Sequence, residues 1–176
     1  VYVRSIAEIA CVAIVPESTT LAAASEQPGL LPDSDFAKFT ASFDAVEDKA
    51  TVIDAFMATQ KRFPIIENDS TAHFIYRGEA EEMAISNEQI GNRMDHPMHR
   101  VPGTDLYYYS TRLEPNARIT YRFMRNTSEM LNDTLNGEVL AYRPGRKFSL
   151  LTMPNWKAPG HLQEAAGVAG RVDTVK

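Results

Sequence analysis

Three segments between residues 74 and 123 decide the fold of this chain: Phe74-Ile75-Tyr76-Arg77-Gly78, Thr104-Asp105-Leu106-Tyr107-Tyr108-Tyr109 and Leu113-Glu114-Pro115-Asn116-Ala117-Arg118-Ile119-Thr120-Tyr121-Arg122-Phe123. Apolar and aromatic residues recur in them with the period of two that a β-strand gives its side chains. Glu114-Pro115-Asn116-Ala117 has the composition of a hairpin turn. The pattern predicts short antiparallel strands that pack as a β-sandwich.

Further strands are predicted over residues 71–77 and 82–86, and one or two more between residues 138 and 151. Residues 87–102 and 126–137 are rich in turn-forming residues and are predicted as loops. In the strand that follows the hairpin turn, Tyr121 has two open interpretations. It is either an ordinary core residue or a tyrosine corner whose hydroxyl bonds to nearby backbone.

Two short helices are predicted before the sandwich. Phe36, Phe39 and Phe43 recur at helical spacing after an N-cap at Asp33 or Ser34. A second helix is predicted from Asp48 to Arg62, with Lys61 and Arg62 in its last turn and Pro64 ending it. We expect the aromatic residues of these helices to pack against the sandwich.

Composition narrows the class of protein. The 176 residues have a formal net charge of −5, which argues against nucleic acid as a partner because phosphate binding needs a basic face. The single cysteine, Cys11, allows no disulfide within the chain and excludes a disulfide-bonded immunoglobulin domain.

The N-terminus has two interpretations. Arg4, the apolar run from Ile9 to Val15 and the small residues 22–25 follow the order of a secretory signal peptide, although Glu8 opposes that assignment. The other interpretation is a buried strand or helix. The apolar run is too short to span a bilayer. An exported or periplasmic location is therefore favoured, with a cytoplasmic one as the alternative.

We predict four regions along the chain. Residues 1–33 form an N-terminal segment and linker, residues 34–66 a helical extension, residues 67–162 the β-sandwich, and residues 163–176 a linker towards a further domain.

The sequence contains no recognisable catalytic motif. It has no G-x-S-x-G nucleophile turn, no P-loop and no dinucleotide-binding fingerprint. His96 and His99 are three residues apart, but Pro97 lies between them and no further ligand completes a metal site, so we interpret them as loop residues. The sequence predicts no metal site and no cofactor.

The remaining candidates for binding are aromatic. Three consecutive tyrosines on one strand predict that at least one ring is exposed or faces a neighbouring domain. Such rings can stack on sugars or form an interdomain contact, where tyrosine is enriched. Trp156, the only tryptophan, is expected to pack over an edge of the sandwich. The candidate contact residues are Arg100, Tyr107, Tyr108, Tyr109 and Trp156.

The order of these segments resembles a known family. With Ile65-Ile66-Glu67-Asn68-Asp69, Met98-His99-Arg100-Val101-Pro102-Gly103 and Met153-Pro154-Asn155-Trp156, the run over roughly residues 34 to 175 is similar to the N-terminal domain of enterochelin-esterase-like proteins. The resemblance implies an early-set, immunoglobulin-like β-sandwich related in shape to glycogen-binding modules. It also implies that an α/β-hydrolase domain with a serine nucleophile and a Ser-His-Asp-type triad follows.

Two departures from the family bear on carbohydrate binding. The family has a turn ending in Trp where this chain has residues 86–93, and an Asp-Pro-x-Asn-Pro turn where it has residues 132–137. The aromatic residue that related modules stack on sugar is therefore missing.

Three hypotheses about function follow. The first is a non-catalytic accessory domain of a serine esterase, which docks on the C-terminal α/β-hydrolase domain of the same protein and helps to shape substrate access. The second is a glycan-binding module with carbohydrate as its partner. The third is a purely structural immunoglobulin-like interaction domain.

Overall fold

The computed structural model describes residue 30, residues 34–87 and residues 96–160. The predicted signal peptide with Cys11, most of the first linker, the turn over residues 88–93 and the tail over residues 163–176 lie outside the described residues. The described part is mainly β, with antiparallel sheets preceded by two short helices. This confirms the predicted fold class.

The helices begin where their capping residues predict. Helix α1 spans Asp35–Ala41, and the Ser34 hydroxyl caps it by accepting a hydrogen bond from the Ala37 backbone N–H at 3.0 Å. A 3-10 turn continues over Ser42–Ala45. Helix α2 spans Lys49–Thr59 and is capped by the Asp48 carboxylate.

Helix α2 ends earlier than predicted. Gln60 already has an extended backbone, so Lys61 and Arg62 lie beyond the helix and do not face its C-terminal dipole. The Arg62 guanidinium instead donates a hydrogen bond to the Thr152 carbonyl at 3.0 Å.

Within the described residues, nine strands form two sheets. In chain order they are β1 Ile65–Glu67, β2 Thr71–Arg77, β3 Met83–Ser86, β4 His99–Arg100, β5 Leu106–Arg112, β6 Arg118–Arg125, β7 Glu129–Leu131, β8 Val139–Arg143 and β9 Arg146–Thr152. Sheet A has the order β1-β2-β5-β4, and sheet B has the order β3-β6-β9-β8, with β7 also paired to β6. The short strands β4 and β7 fall in predicted loops, and β1 in the predicted helical extension. At two or three residues, none of them is long enough to show a period.

The interior between the sheets is aromatic and aliphatic. Sheet A contributes Phe74, Tyr107 and Tyr109, and sheet B contributes Tyr121 and Phe123, all at most 5% exposed. The predicted turn at residues 114–117 is present, since the Ala117 N–H donates to the Glu114 carbonyl at 2.9 Å. It joins β5 of sheet A to β6 of sheet B, which do not pair with each other, so the prediction that it closes a hairpin is wrong.

Sheet A is buried on its second face as well. Phe36, Phe39 and Ile53 from the helices pack there against Ile75 and Tyr108, which confirms the predicted role of the helical aromatics. Strand β2 is therefore buried at five consecutive residues rather than at alternate ones. The order of layers is helices, sheet A, sheet B.

Candidate functional site

The three consecutive tyrosines of β5 are core residues. Tyr107, Tyr108 and Tyr109 are 1%, 6% and 5% exposed. Tyr107 and Tyr109 point into the sandwich and Tyr108 points towards the helices, as alternation requires. The prediction that at least one of these rings is exposed or faces another domain is wrong, because α1 and α2 cover the face that a simple sandwich would leave open.

Polar and aromatic partners within the chain engage these tyrosines. The Tyr107 hydroxyl donates to the Ala80 carbonyl, and the Tyr109 hydroxyl lies 2.9 Å from His96 Nδ1. The Tyr108 ring packs edge-on against Phe36 with centroids 5.2 Å apart. Burial raises the pKa of Tyr108 and of Tyr109 above the ordinary tyrosine value. These contacts fix the rings in place and leave them no face for a ligand.

Arg100 is exposed at the edge of sheet A. It lies on β4 opposite Tyr107, and its Nε donates to the Thr104 carbonyl at 3.0 Å. Its guanidinium carbon lies 5.5 Å from the centroid of the Tyr107 ring. Arg100 can therefore offer a charge to a partner from this edge.

Trp156 is half-buried beside the turn that joins β5 to β6, at one end of the sandwich. Two backbone hydrogen bonds hold the segment before it, from Met153 N–H to the Ala117 carbonyl and from Asn155 N–H to the Pro115 carbonyl, both 2.9 Å. The Arg118 guanidinium lies over the indole at 4.6 Å from its centroid, in cation–π geometry. The period of two over residues 118–123 places Arg118 on the face opposite Ile119, and no local pattern pairs it with Trp156.

The structure does not bring the predicted contact residues together. Arg100 is level with Tyr107, near the start of β5, whereas Trp156 lies beside the turn that follows Arg112 at the end of that strand. The five residue steps from Tyr107 to Arg112 separate the two by about 17 Å along the strand. Arg100 and Trp156 therefore belong to different ends of the sandwich.

The end that carries Trp156 forms a surface that we call the turn surface. It consists of residues 112–118 and 155–156. The turn borders a shallow depression of about 720 Å³, whose lining includes Arg112, Glu114 and Asn116. A half-buried indole beside mixed charges is the composition of an interface rather than of a catalytic pocket.

A Ser-His-Glu constellation lies between sheet A and helix α1. His73 Nδ1 is 2.8 Å from Ser110 Oγ, and His73 Nε2 is 3.7 Å from Glu67 Oε2. Glu67 also accepts a hydrogen bond from the Phe36 N–H at 2.9 Å, in the first turn of the helix. Both Ser110 and His73 are 0% exposed. The constellation fastens the helix to the sheet and is closed to any substrate.

Burial controls the protonation of His73. The ring stacks on Phe36 with centroids 4.5 Å apart, and desolvation lowers its pKa to about 4. The imidazole is therefore neutral at pH 7.

Tyr121 belongs to a second buried network. Its hydroxyl donates to Asp133 Oδ2 at 2.6 Å and accepts from Asn136 Nδ2 at 3.0 Å. Burial raises the pKa of both Tyr121 and Asp133. The partners of the hydroxyl are thus two loop side chains, which lie 12 and 15 residues after Tyr121 in the sequence. A tyrosine corner requires a hydrogen bond to nearby backbone instead.

Within residues 34–87 and 96–160, no group of three or more metal-binding side chains is close enough to hold a metal ion. No helix in this part of the chain has the length and apolar character needed to cross a membrane.

Comparison with known proteins gives structural neighbours but no family assignment. No family model matches the chain, and no curated protein matches it. Similar solved structures are the ferric enterobactin esterase of Salmonella typhimurium (TM-score 0.48, 19% identity) and, from Shigella flexneri, the enterobactin esterase (0.47, 16%) and enterochelin esterase (0.44, 18%).

Each of these comparisons covers 60% of this chain, and the chain spans 37%, 36% and 36% of the respective structures. The described fold is that of a β-sandwich with a helical layer. At these identities and TM-scores, the likeness assigns neither a family nor an activity to the chain.

Proposed function

We propose that this chain is a non-catalytic accessory domain of an enterochelin-esterase-like serine hydrolase. The observation that carries the proposal is the run of family-like segments, which fall on consecutive parts of one sandwich. Residues 74–78 are most of β2 and its end, residues 104–109 lead into β5, and residues 113–123 are the β5–β6 turn and most of β6. Residues 153–156 are the segment that is hydrogen-bonded to that turn.

The proposed role is to dock on an α/β-hydrolase domain of the same protein and to help shape access of the ester to it. Of the predicted contact residues, Trp156 lies on the turn surface with Arg118, and Arg100 remains exposed at the other end. We assign the interdomain contact to the turn surface, because a large amphipathic ring on a backbone segment that hydrogen bonds already fix loses little entropy on binding.

The nucleophile would belong to the hydrolase domain. Ser110 is the serine next to a histidine in the described sandwich, and its hydroxyl is enclosed by α1 and sheet A. A hydroxyl that is 0% exposed cannot reach an ester carbonyl.

The reading frame beyond Lys176 tests this proposal. We expect a nucleophile turn of the G-x-S-x-G kind roughly 100 or more residues downstream. The purified 176-residue chain is expected to leave p-nitrophenyl esters intact. Ester hydrolysis by the chain alone, or a continuous frame without such a turn, would reject it.

The glycan-binding hypothesis relied on Tyr107 or Tyr109 as a sugar platform. Both rings lie inside the sandwich, so loss of glucan binding on their replacement would report a damaged core. No described residue arrangement favours this function over the accessory role.

A further inference from the structure

The two ends of the sandwich carry exposed charges of opposite sign. Arg112 and Arg118 lie on the turn surface and Lys157 directly follows it, and all three are exposed. At the other end, the loop that follows β2 presents the exposed carboxylates of Glu79, Glu81 and Glu82. The whole chain has a net charge of −5, so the cations at the turn surface are a local feature of an acidic molecule.

The cations of the turn surface outnumber the carboxylates around them. Within the described part of the chain, no salt bridge engages Arg112, Arg118 or Lys157. The carboxylates at this end are Glu114, in the turn itself, and Asp69, in the neighbouring β1–β2 turn. A surface with an excess of exposed cations attracts a partner that carries carboxylates.

The indole of Trp156 fixes one of these cations. The Arg118 guanidinium lies 4.6 Å from the centroid of the indole, and the backbone before Trp156 is itself hydrogen-bonded to the turn. A guanidinium that is already held against a ring loses less side-chain freedom when it binds. Its planar fork can donate two parallel hydrogen bonds to one carboxylate.

Apolar side chains lie among the same charges. Leu113, Pro115 and Trp156 are half-buried on the turn surface. Leu113 and Pro115 also line the depression of about 720 Å³, together with Arg112. Aromatic residues and arginine are enriched at protein–protein interfaces, so this combination fits a protein partner.

The described chain ends close to the turn surface. Gly160, the last described residue, follows shortly after Trp156, and residues 161–176 complete the sequence. Even fully extended, a segment of this length spans at most about 58 Å. A domain that is joined after Lys176 is therefore tethered near the turn surface, and short tethers give effective concentrations in the millimolar range.

We propose that the turn surface docks on an acidic surface of the hydrolase domain, whose carboxylates pair with Arg112 and Arg118 around Trp156. The inference rests on the proposed accessory function and adds the chemistry of the partner to it. Pairing of this kind fixes the register of the two domains and weakens as the salt concentration rises.

Zero-length cross-linking of the full-length protein with a carbodiimide tests this pairing, because the reagent joins an amine only to a carboxylate that lies against it. Lys157 supplies one amine, and Arg112→Lys places a second on the turn surface. Peptide mapping by mass spectrometry is expected to find both amines joined to aspartate or glutamate residues after Lys176. Arg112→Glu should lower the yield from Lys157 about tenfold, since it replaces a charge-assisted hydrogen bond by repulsion.

Arg100→Lys is the matched control. Arg100 is also exposed, and its guanidinium also lies near an aromatic ring, 5.5 Å from the centroid of Tyr107, but at the other end of the sandwich. This variant should add no cross-link to residues after Lys176. Mixing ¹⁵N-labelled and unlabelled protein before the reaction distinguishes cross-links within one molecule from those between two.

Three cross-linking results would overturn the inference. The first is a carboxylate cross-link in Arg100→Lys but not in Arg112→Lys. The second is a link from Lys157 to lysines after Lys176 by an amine-to-amine reagent without any carboxylate cross-link, because the contact would then not be acidic. The third is cross-linking only between labelled and unlabelled molecules, because the partner would then be a second copy.

A fluorophosphonate probe for activated serines separates this inference from the function on which it rests. If a serine after Lys176 is labelled but no carboxylate there is cross-linked, the acidic contact is wrong and the accessory function stands. If no serine after Lys176 is labelled, the proposed function is wrong and the inference falls with it.

Discussion

His73 makes the stability of this domain depend on pH. In the unfolded chain its pKa is the ordinary 6.5, and in the folded chain burial holds it at about 4. Between these values the unfolded state takes up a proton that the folded state does not. The free energy of unfolding therefore falls as the pH is lowered from 6.5 towards 4, and this contribution levels off below 4.

Replacing His73 by Gln is expected to remove this component. The parent chain should lose about 3 kcal/mol more stability than His73→Gln on going from pH 7 to pH 4, because each unit of pKa difference is worth about 1.4 kcal/mol. Urea unfolding at a series of pH values measures the difference.

The matched control is His99→Gln, which alters a half-buried histidine on the edge strand β4. That variant should keep the pH dependence of the parent chain. Parallel pH curves for the parent and His73→Gln would contradict the assignment to His73, whatever their absolute stabilities.

Strand β5 shows how far an element could be predicted from its sequence. Alternation assigned Tyr108 to one face and Tyr107 and Tyr109 to the other, and both assignments are confirmed. Their exposure was not predictable from the strand itself. It is set by Phe36 and Phe39, which lie about 70 residues earlier in the chain and fold back over sheet A.

The segment 153–156 packs beside the turn that joins β5 to β6. Its hydrogen bonds to Ala117 and Pro115 fix the backbone, and Arg118 covers the indole of Trp156. The sequence shows the proline and the tryptophan of this segment, but its contact with the turn is a long-range one that no local pattern specifies.

Trp156→Ala tests the turn surface as the interdomain contact. If the indole packs against a hydrolase domain, the substitution should destabilise the full-length protein by about 1–2 kcal/mol more than it destabilises the 176-residue chain. Thermal or urea unfolding of both proteins measures this extra loss.

Val139→Ala provides the control, since Val139 is an exposed apolar residue, 47% accessible, on the edge strand β8. Its effect should be the same in both proteins. If Trp156→Ala lowers the free energy of unfolding equally in the full-length protein and in the 176-residue chain, the turn surface is not the interdomain contact.

The described residues form three layers. The sequence predicted the elements of these layers but not how the layers are arranged. Two helices and an antiparallel sandwich were expected and are present. The helices could not be assigned to a particular sheet, because their apolar stripes fit any complementary face. The buried Ser110–His73–Glu67 constellation was also not predicted, since its members are separated by 37 and 6 residues.

The most direct test of the account is the location of the reactive serine in the full-length gene product. A fluorophosphonate probe labels activated serines, and peptide mapping by mass spectrometry identifies the labelled residue. If the chain is a non-catalytic accessory domain, we expect one labelled serine after Lys176 and none within residues 1–176. A label on a serine of this chain, such as Ser110, or a full-length protein with no labelled serine, would contradict it.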